Sequence, residues 1–164
     1  MNPHLQALMG WWNNEVEGTT RMMEAIPADK VTEKVHERVR TLGELAAHIT
    51  GSITDLANSL EQGNAVFGAE GGPVDDVAGL VAAYKAAVKD AQTRIQQLTD
   101  EQLNAHIPME MNGEVVWNPT ALEMLSGYIA HEIHHRGQMS VILRQVGAKV
   151  PGVYGPTGDD WDMP

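Results

Sequence analysis

The segment HEIHHRGQM, residues 131–139, sets His131, Glu132 and His135 in the spacing His-Glu-x-x-His. On a helix, residues four apart differ in direction by about 40°, so both imidazoles can reach one ion. The same spacing serves zinc proteases, where the glutamate is the general base. A divalent ion in a catalytic site usually takes three protein ligands and keeps an open position. The reading of this stretch therefore depends on where a third ligand lies and what fold surrounds it.

Outward from the motif the pattern is helical. The helix that carries it opens at NPTALE, with Asn118 as N-cap, Pro119 at the first helical position and a further Thr120–Glu123 capping box. It runs to Val146 and stops at Gly147. A first helix bears Leu5, Leu8, Met9, Trp12, Val16, Thr20 and Met23 on one stripe and ends near Ile26-Pro27. A second opens with a Thr41–Glu44 capping box, turns Leu42, Leu45, Ile49, Ile53, Leu56 and Leu60 inward, and stops at Gly63. A glycine-rich connection, GNAVFGAEGGPVDD, leads to a third helix from about Asp76 to Leu98. That helix carries Val77, Leu80, Val81, Tyr84, Val88, Ala91 and Ile95 on one face. After a short capped turn at TDEQLN, a hairpin is expected to turn at Asn112-Gly113. Residues 151–164 are rich in Gly and Pro and read as an irregular acidic tail after a bundle spanning 1–150. Four long amphipathic helices with almost no strand predict an all-α four-helix bundle. The connection between the second and third helices, about 40 Å when extended, is long enough for a crossover, so spacing alone leaves the topology open.

Composition narrows the chemistry. The 164 residues suit one globular domain with a real core, being 43% hydrophobic. The formal net charge of −11 comes with no cluster of Lys and Arg, which speaks against nucleic acid and against anionic membrane surfaces. No apolar run approaches the roughly 18 residues of a membrane span, and the start lacks a leader pattern, so a cytoplasmic address is expected. There is no cysteine, so a metal must be held by nitrogen and oxygen, and any nucleophilic sulfur must come from outside the chain.

Seven histidines are present: His4, His36, His48, His106, His131, His134 and His135. His48 lies between Leu45 and Ile49 on the inward stripe of the second helix. A lone histidine there is usually a core residue; with a His-x-x-x-His pair in the same bundle it becomes the candidate third ligand. Downstream of His135 the only carboxylates are Asp159, Asp160 and Asp162 in the tail. His134 is expected at the bundle edge, and Tyr128 is read as core bulk. Glu132 is expected at the surface, paired with Arg136 four residues on. Arg136 and Gln138 are expected to hold their helix against its neighbours. A zinc protease presents its substrate along a sheet edge, which this chain lacks, and its third ligand normally follows the motif. The protease reading is therefore set aside.

HEIHHRGQM followed by SVILRQVGAKVP resembles the closing helix of the DinB family of DinB/YfiT-like four-helix bundles. There His-x-x-x-His-Arg-Gly-Gln leads into Leu-Arg-x-x-Gly-x-x-x-Pro, matched here by His131, His135, Arg136, Gly137, Gln138, Leu143, Arg144, Gly147 and Pro151. The family's Leu-x-x-Leu-x-x-His on the second helix is matched by LGELAAH, ending at His48. The resemblance implies an up-down-down-up bundle and a divalent ion, nickel or zinc, on His48, His131 and His135. It also implies a homodimer and transfer of a low-molecular-weight thiol cosubstrate to a small electrophilic substrate. A metal-dependent hydrolase and a non-catalytic metal-binding stress-response protein are the alternatives. No catalytic side chain is assigned. One of the adjacent Trp11 and Trp12, about 100° apart on the first helix, is expected in the dimer contact.

Overall fold

The computed structural model describes residues 2–160. Its elements are α1 (Pro3–Glu24), α2 (Leu42–Gln62), α3 (Val77–Ile95), a short α4 (Asp100–Asn104), β1 (Met109–Met111), β2 (Glu114–Trp117) and α5 (Ala121–Gln145). The helix starts follow their capping chemistry. Asn2 accepts from the backbone N–H of His4 and Leu5, ahead of Pro3. Thr41–Glu44, Thr99–Gln102 and Thr120–Glu123 all form reciprocal capping boxes. For α5 the box prevails over the Asn118 cap expected from sequence. The Asn118 carbonyl faces the His106 ring at 2.8 Å instead, and the Pro119 carbonyl accepts from Ile107 N–H at 2.8 Å. The left-handed Gly63 ends α2, and a left-handed Gly147 follows α5. The hairpin turns where expected, with both Asn112 (φ 53°) and Gly113 (φ 82°) left-handed.

Side-chain pairs fix the directions of the four long helices. Between α1 and α3, Glu24 meets Lys85 and Asn13 meets Gln92, so these two run antiparallel. Between α1 and α5, Trp12 meets Glu132 and Glu15 meets Arg136, so these two run parallel. The connection after α2 then decides the rest. It lies back along α2, Ala69 against Gly51, Gly71 against Ala47 and Val74 against Gly43, so α3 begins at the end where α2 began. The bundle is up-down-down-up.

Small residues make that connection fit. A Cβ on Gly51 would sit 2.4 Å from the Ala69 carbonyl oxygen, and one on Gly43 would sit 1.8 Å from that of Val74. Gly43, Ala47 and Gly51 form a bare strip one turn apart along α2, and backbone lies directly on it. One turn further, Asp55 clamps the connection by accepting from Gly68 N–H at 3.1 Å and Ala69 N–H at 3.0 Å.

The core contains the apolar stripes, from Leu5, Met9 and Trp12 through Leu45, Ile49 and Leu56 to Leu80, Ile129 and Leu143. At roughly 1.5–3 kcal/mol per fully buried large apolar side chain, these stripes supply most of the drive to associate. Beyond α5, Tyr154 returns to the bundle and donates to the Glu15 carboxylate at 2.6 Å. No helix among the described residues is long and apolar enough to cross a membrane.

Candidate metal centre

The antiparallel pairing of α2 with α5 brings His48 against His131 and His135. The Nε2 atoms of His48 and His135 are 3.1 Å apart, and those of His135 and His131 are 3.0 Å apart. Ligand atoms of all three lie within 4.8 Å of one another. With metal–nitrogen bonds of about 2.05 Å, neighbouring donors are separated by about 2.9 Å at right angles and about 3.3 Å in a tetrahedron. The two separations from His135 fall inside that interval and His48 and His131 lie within 4.8 Å of each other, so the three rings are placed to hold one ion.

The hydrogen bonds around His135 point the same way. Its Nδ1 lies 2.7 Å from Oε1 of Gln138, and an amide oxygen only accepts, so the ring proton sits on Nδ1. That leaves Nε2 of His135 a bare lone pair aimed at the cluster. With two further ring nitrogens crowding that lone pair, a cation at the centre satisfies all three donors better than N–H groups competing for one acceptor. Gln138 in turn reaches His134 Nε2 through its amide nitrogen at 3.1 Å. Gln138 thus orients the His135 ring, where the sequence suggested only helix packing.

Electrostatics keep the three imidazoles neutral. Burial lowers the pKa of His48 to about 4, helped by the charge of Arg40 and by His135. Burial also lowers His131 to about 4, with the neighbouring imidazoles adding to it. His135 is lowered for the same main reason, against the opposing hydrogen bond to Gln138. Neutral imidazole is the ligating species, so the trio is competent without giving up protons near neutral pH.

The other candidates fall elsewhere. His4, His36 and His106 are exposed and outside the cluster, and His134 is exposed at the bundle edge as expected. Asp159 accepts from Val150 N–H and pairs with Arg144, while Asp160 accepts from Thr157 N–H. Asp162 lies outside the described residues. Trp12 is buried and Trp11 is 40% exposed, its indole N–H donating to Glu15.

Glu132 corrects the sequence reading. It is 2% exposed, and its two oxygens accept from Tyr84 O–H at 2.5 Å and Trp12 Nε1–H at 3.0 Å. Arg136 pairs with Glu15 of α1 at 2.6 Å, both side chains buried, and donates to the Glu15 backbone carbonyl at 3.0 Å. The reason is geometric: α5 contacts α1 and α2 at once, so its buried arc is wider than one stripe. His131 and His135 face α2, while Glu132 and Arg136 face the side that α1 occupies. Arg136 does fasten its helix to a neighbour as expected, through a different partner.

A cavity of about 500 Å³ opens beside the trio, with His48 and His131 in its wall. Phe67 and Ala69 of the connection, Met109 and Trp117 of the hairpin, and Gly127 and Tyr128 of α5 complete much of it. The Trp117 ring rests on Gly127, where an added Cβ would lie 3.1 Å from it. These wall residues were not legible, apart from one available signal: Asp55, seven residues after His48, shares its helix face. Tyr128, read as core, is half-buried with its ring centroid 6.1 Å from that of His131.

The DinB family model matches residues 1–163 of this sequence. The chain belongs to the DinB family. YrdA of Bacillus subtilis (strain 168), described as uncharacterized, is 30% identical over 152 residues, covering 92% of this chain and 87% of YrdA. Among solved structures, a DinB-like protein from Bacillus cereus ATCC 10987 superposes with a TM-score of 0.73 at 24% identity, covering 91% of this DinB chain and 97% of the other. YfiT from Bacillus subtilis, described as "a probable metal-dependent hydrolase with an unusual four-helix bundle topology", superposes with a TM-score of 0.65 at 14% identity, over 84% and 87% of the two chains. At these identities the two structures establish the DinB fold alone.

Proposed function

We propose that this DinB-family chain is a metal-dependent enzyme that directs a low-molecular-weight thiol at a small electrophilic molecule, using one divalent ion, nickel or zinc, on His48, His131 and His135. The observation that carries the reading is the convergence of three Nε2 atoms beside a cavity large enough for a small organic molecule, with His48 and His131 in its wall. Bound there, a divalent ion supplies a positive charge that lowers the pKa of a coordinated thiol or water towards neutrality. The chain's own residues do the rest. Gln138 holds His135 in its ligating tautomer, and the aromatic wall gives the site an apolar flank. With no cysteine in the sequence, the sulfur comes from the small molecule.

A second reading, hydrolysis by water in place of the thiol, is favoured by the description of YfiT. Elemental analysis of untagged protein, followed by turnover of an electrophile panel with and without thiols, separates them. Thiol-dependent loss of electrophile supports the transferase, and thiol-independent turnover supports the hydrolase. Tightly held metal without turnover overturns both in favour of a non-catalytic metal-binding stress-response protein. We further propose that the protein works in the cytoplasm as a homodimer with Trp11 in the contact. Light scattering giving a monomer at micromolar concentration removes the dimer.

A further inference from the structure

The cavity beside the histidines has a composition that speaks about its occupant. Trp117 is 39% exposed and Phe67 is 57% exposed, far more than packing of the bundle requires, and both belong to its wall. They arrive from different elements, the hairpin and the connection that lies on α2, and Met109 adds a third apolar surface. Among the described residues, no Lys or Arg lines the cavity. The carboxylate among its described lining residues, Asp55, has both oxygens engaged by Gly68 and Ala69 N–H. An anionic occupant would thus face a fixed negative charge with no cation from the wall to offset it. An ion on the histidines would place positive charge at one end of the cavity, while the body of an occupant lies against the aromatic surface and beside Asp55.

Tyr128 gives the cavity a directional polar group. Its hydroxyl is not buried without a partner and receives no protein hydrogen bond that alters its ionisation. A phenol is protonated at neutral pH, so the hydroxyl can donate, and it belongs to the wall that also holds His48 and His131.

We propose, resting on the enzymatic reading above, that the cavity binds an uncharged, largely apolar organic substrate of aromatic character. Trp117 and Phe67 hold its body, and the Tyr128 hydroxyl donates a hydrogen bond to an acceptor oxygen near the histidines. Tyr128 is a binding group in this proposal, and the chemistry stays with whatever the histidines hold.

A pair of dyes that differ in one charge provides the test: neutral N-phenylnaphthylamine and its sulfonated counterpart, anilinonaphthalene sulfonate. Both are titrated by fluorescence into the full chain, as purified and after chelation. The neutral dye is expected to saturate one site, with the sulfonate binding at least about tenfold more weakly. Trp117→Ala and Phe67→Ala, whose side chains are partly exposed and so leave the core intact, should each weaken the neutral dye by roughly tenfold, the loss expected for one aromatic contact. Acetonaphthone, which has a carbonyl acceptor, is measured by displacement. Tyr128→Phe should weaken acetonaphthone by roughly threefold to tenfold and leave the neutral dye unchanged, as for one lost hydrogen bond. Equal affinity for both dyes, or neutral-dye binding indifferent to Trp117→Ala and Phe67→Ala, overturns the substrate class. Acetonaphthone binding unchanged in Tyr128→Phe overturns the donor role. Because the dyes are read with and without metal, their failure in metal-loaded protein sinks this proposal alone. Dye binding by a protein that never takes up metal sinks the enzymatic reading and leaves the cavity assignment standing.

Discussion

The Nδ1 proton of His135 is donated to Oε1 of Gln138, three residues on in the same helix, at 2.7 Å. This contact sets which ring nitrogen faces the other two histidines. Replacing Gln138 with Ala should therefore lower metal affinity by about tenfold to a hundredfold, the usual cost of losing such a partner, without unfolding the protein. Gln138→Glu keeps the acceptor and should restore most of the affinity. Competitive titration against a chromophoric chelator reads both, and equal affinity in Gln138→Ala removes the orienting role.

The ligands themselves make a sharper test. His48→Ala, His131→Ala and His135→Ala should each lose most of the bound metal, because two imidazoles are left where three converged. His36→Ala and His106→Ala change exposed rings outside the cluster and should keep it. Metal-to-protein ratios by elemental analysis decide the matter, and a fully loaded His48→Ala protein would end the three-histidine site.

Glu132 should prove to be a stability residue. Glu132→Ala strands the Trp12 indole N–H and the Tyr84 hydroxyl, two buried donors, at a cost of about 1–3 kcal/mol each. The expected signature is a lower urea midpoint with full metal content, and metal-loaded wild type should leave casein intact. Metal-dependent cleavage of casein that vanishes in Glu132→Gln would restore the protease that the His-Glu-x-x-His spacing first suggests.

The Glu15–Arg136 pair supplies an acid-sensitive contribution. Burial raises the Glu15 carboxyl pKa, but hydrogen bonds from Tyr154 and Arg136, and the Arg136 charge, outweigh it and leave it below its ordinary 4.5. A carboxyl depressed in the folded state adds stability that is fully present above the unfolded value and fades as pH falls through the folded one. Wild type should therefore lose melting temperature below about pH 4.5 more steeply than Glu15→Gln. At neutral pH, Glu15→Gln strands a buried guanidinium and should cost about 3–5 kcal/mol. The double variant with Arg136→Met should cost less than the two single changes summed. Parallel acid limbs in wild type and Glu15→Gln would remove the pair from the account.

Much of this was legible because it is written in local code. Capping boxes at Thr41, Thr99 and Thr120, the Asn112-Gly113 turn and the apolar stripes each need only neighbours in sequence. His48 joined His131 and His135 because all three stand on inward stripes. Glu132 and Arg136 misled because four-residue spacing on an exposed face and on a second buried face look alike, and an apolar periodicity cannot register a buried charge paired across helices. Phe67 and Trp117 sit in a connection and a hairpin, whose place in space depends on what they fold back onto. Directions of the long helices could not be read from spacing, since the connection after α2 had the length for more than one path; the family resemblance supplied them.

That connection rests on Gly43, Ala47 and Gly51 through its own backbone, and Asp55 grips it by two amide N–H groups. Its seating is thus indifferent to most of the side chains it carries. Phe67, next to the gripped amides yet more than half exposed, can be exchanged without disturbing how the segment is anchored. An engineer who wished to change what this protein accepts could therefore rewrite one wall of the cavity and leave the bundle, and the three histidines, as they are.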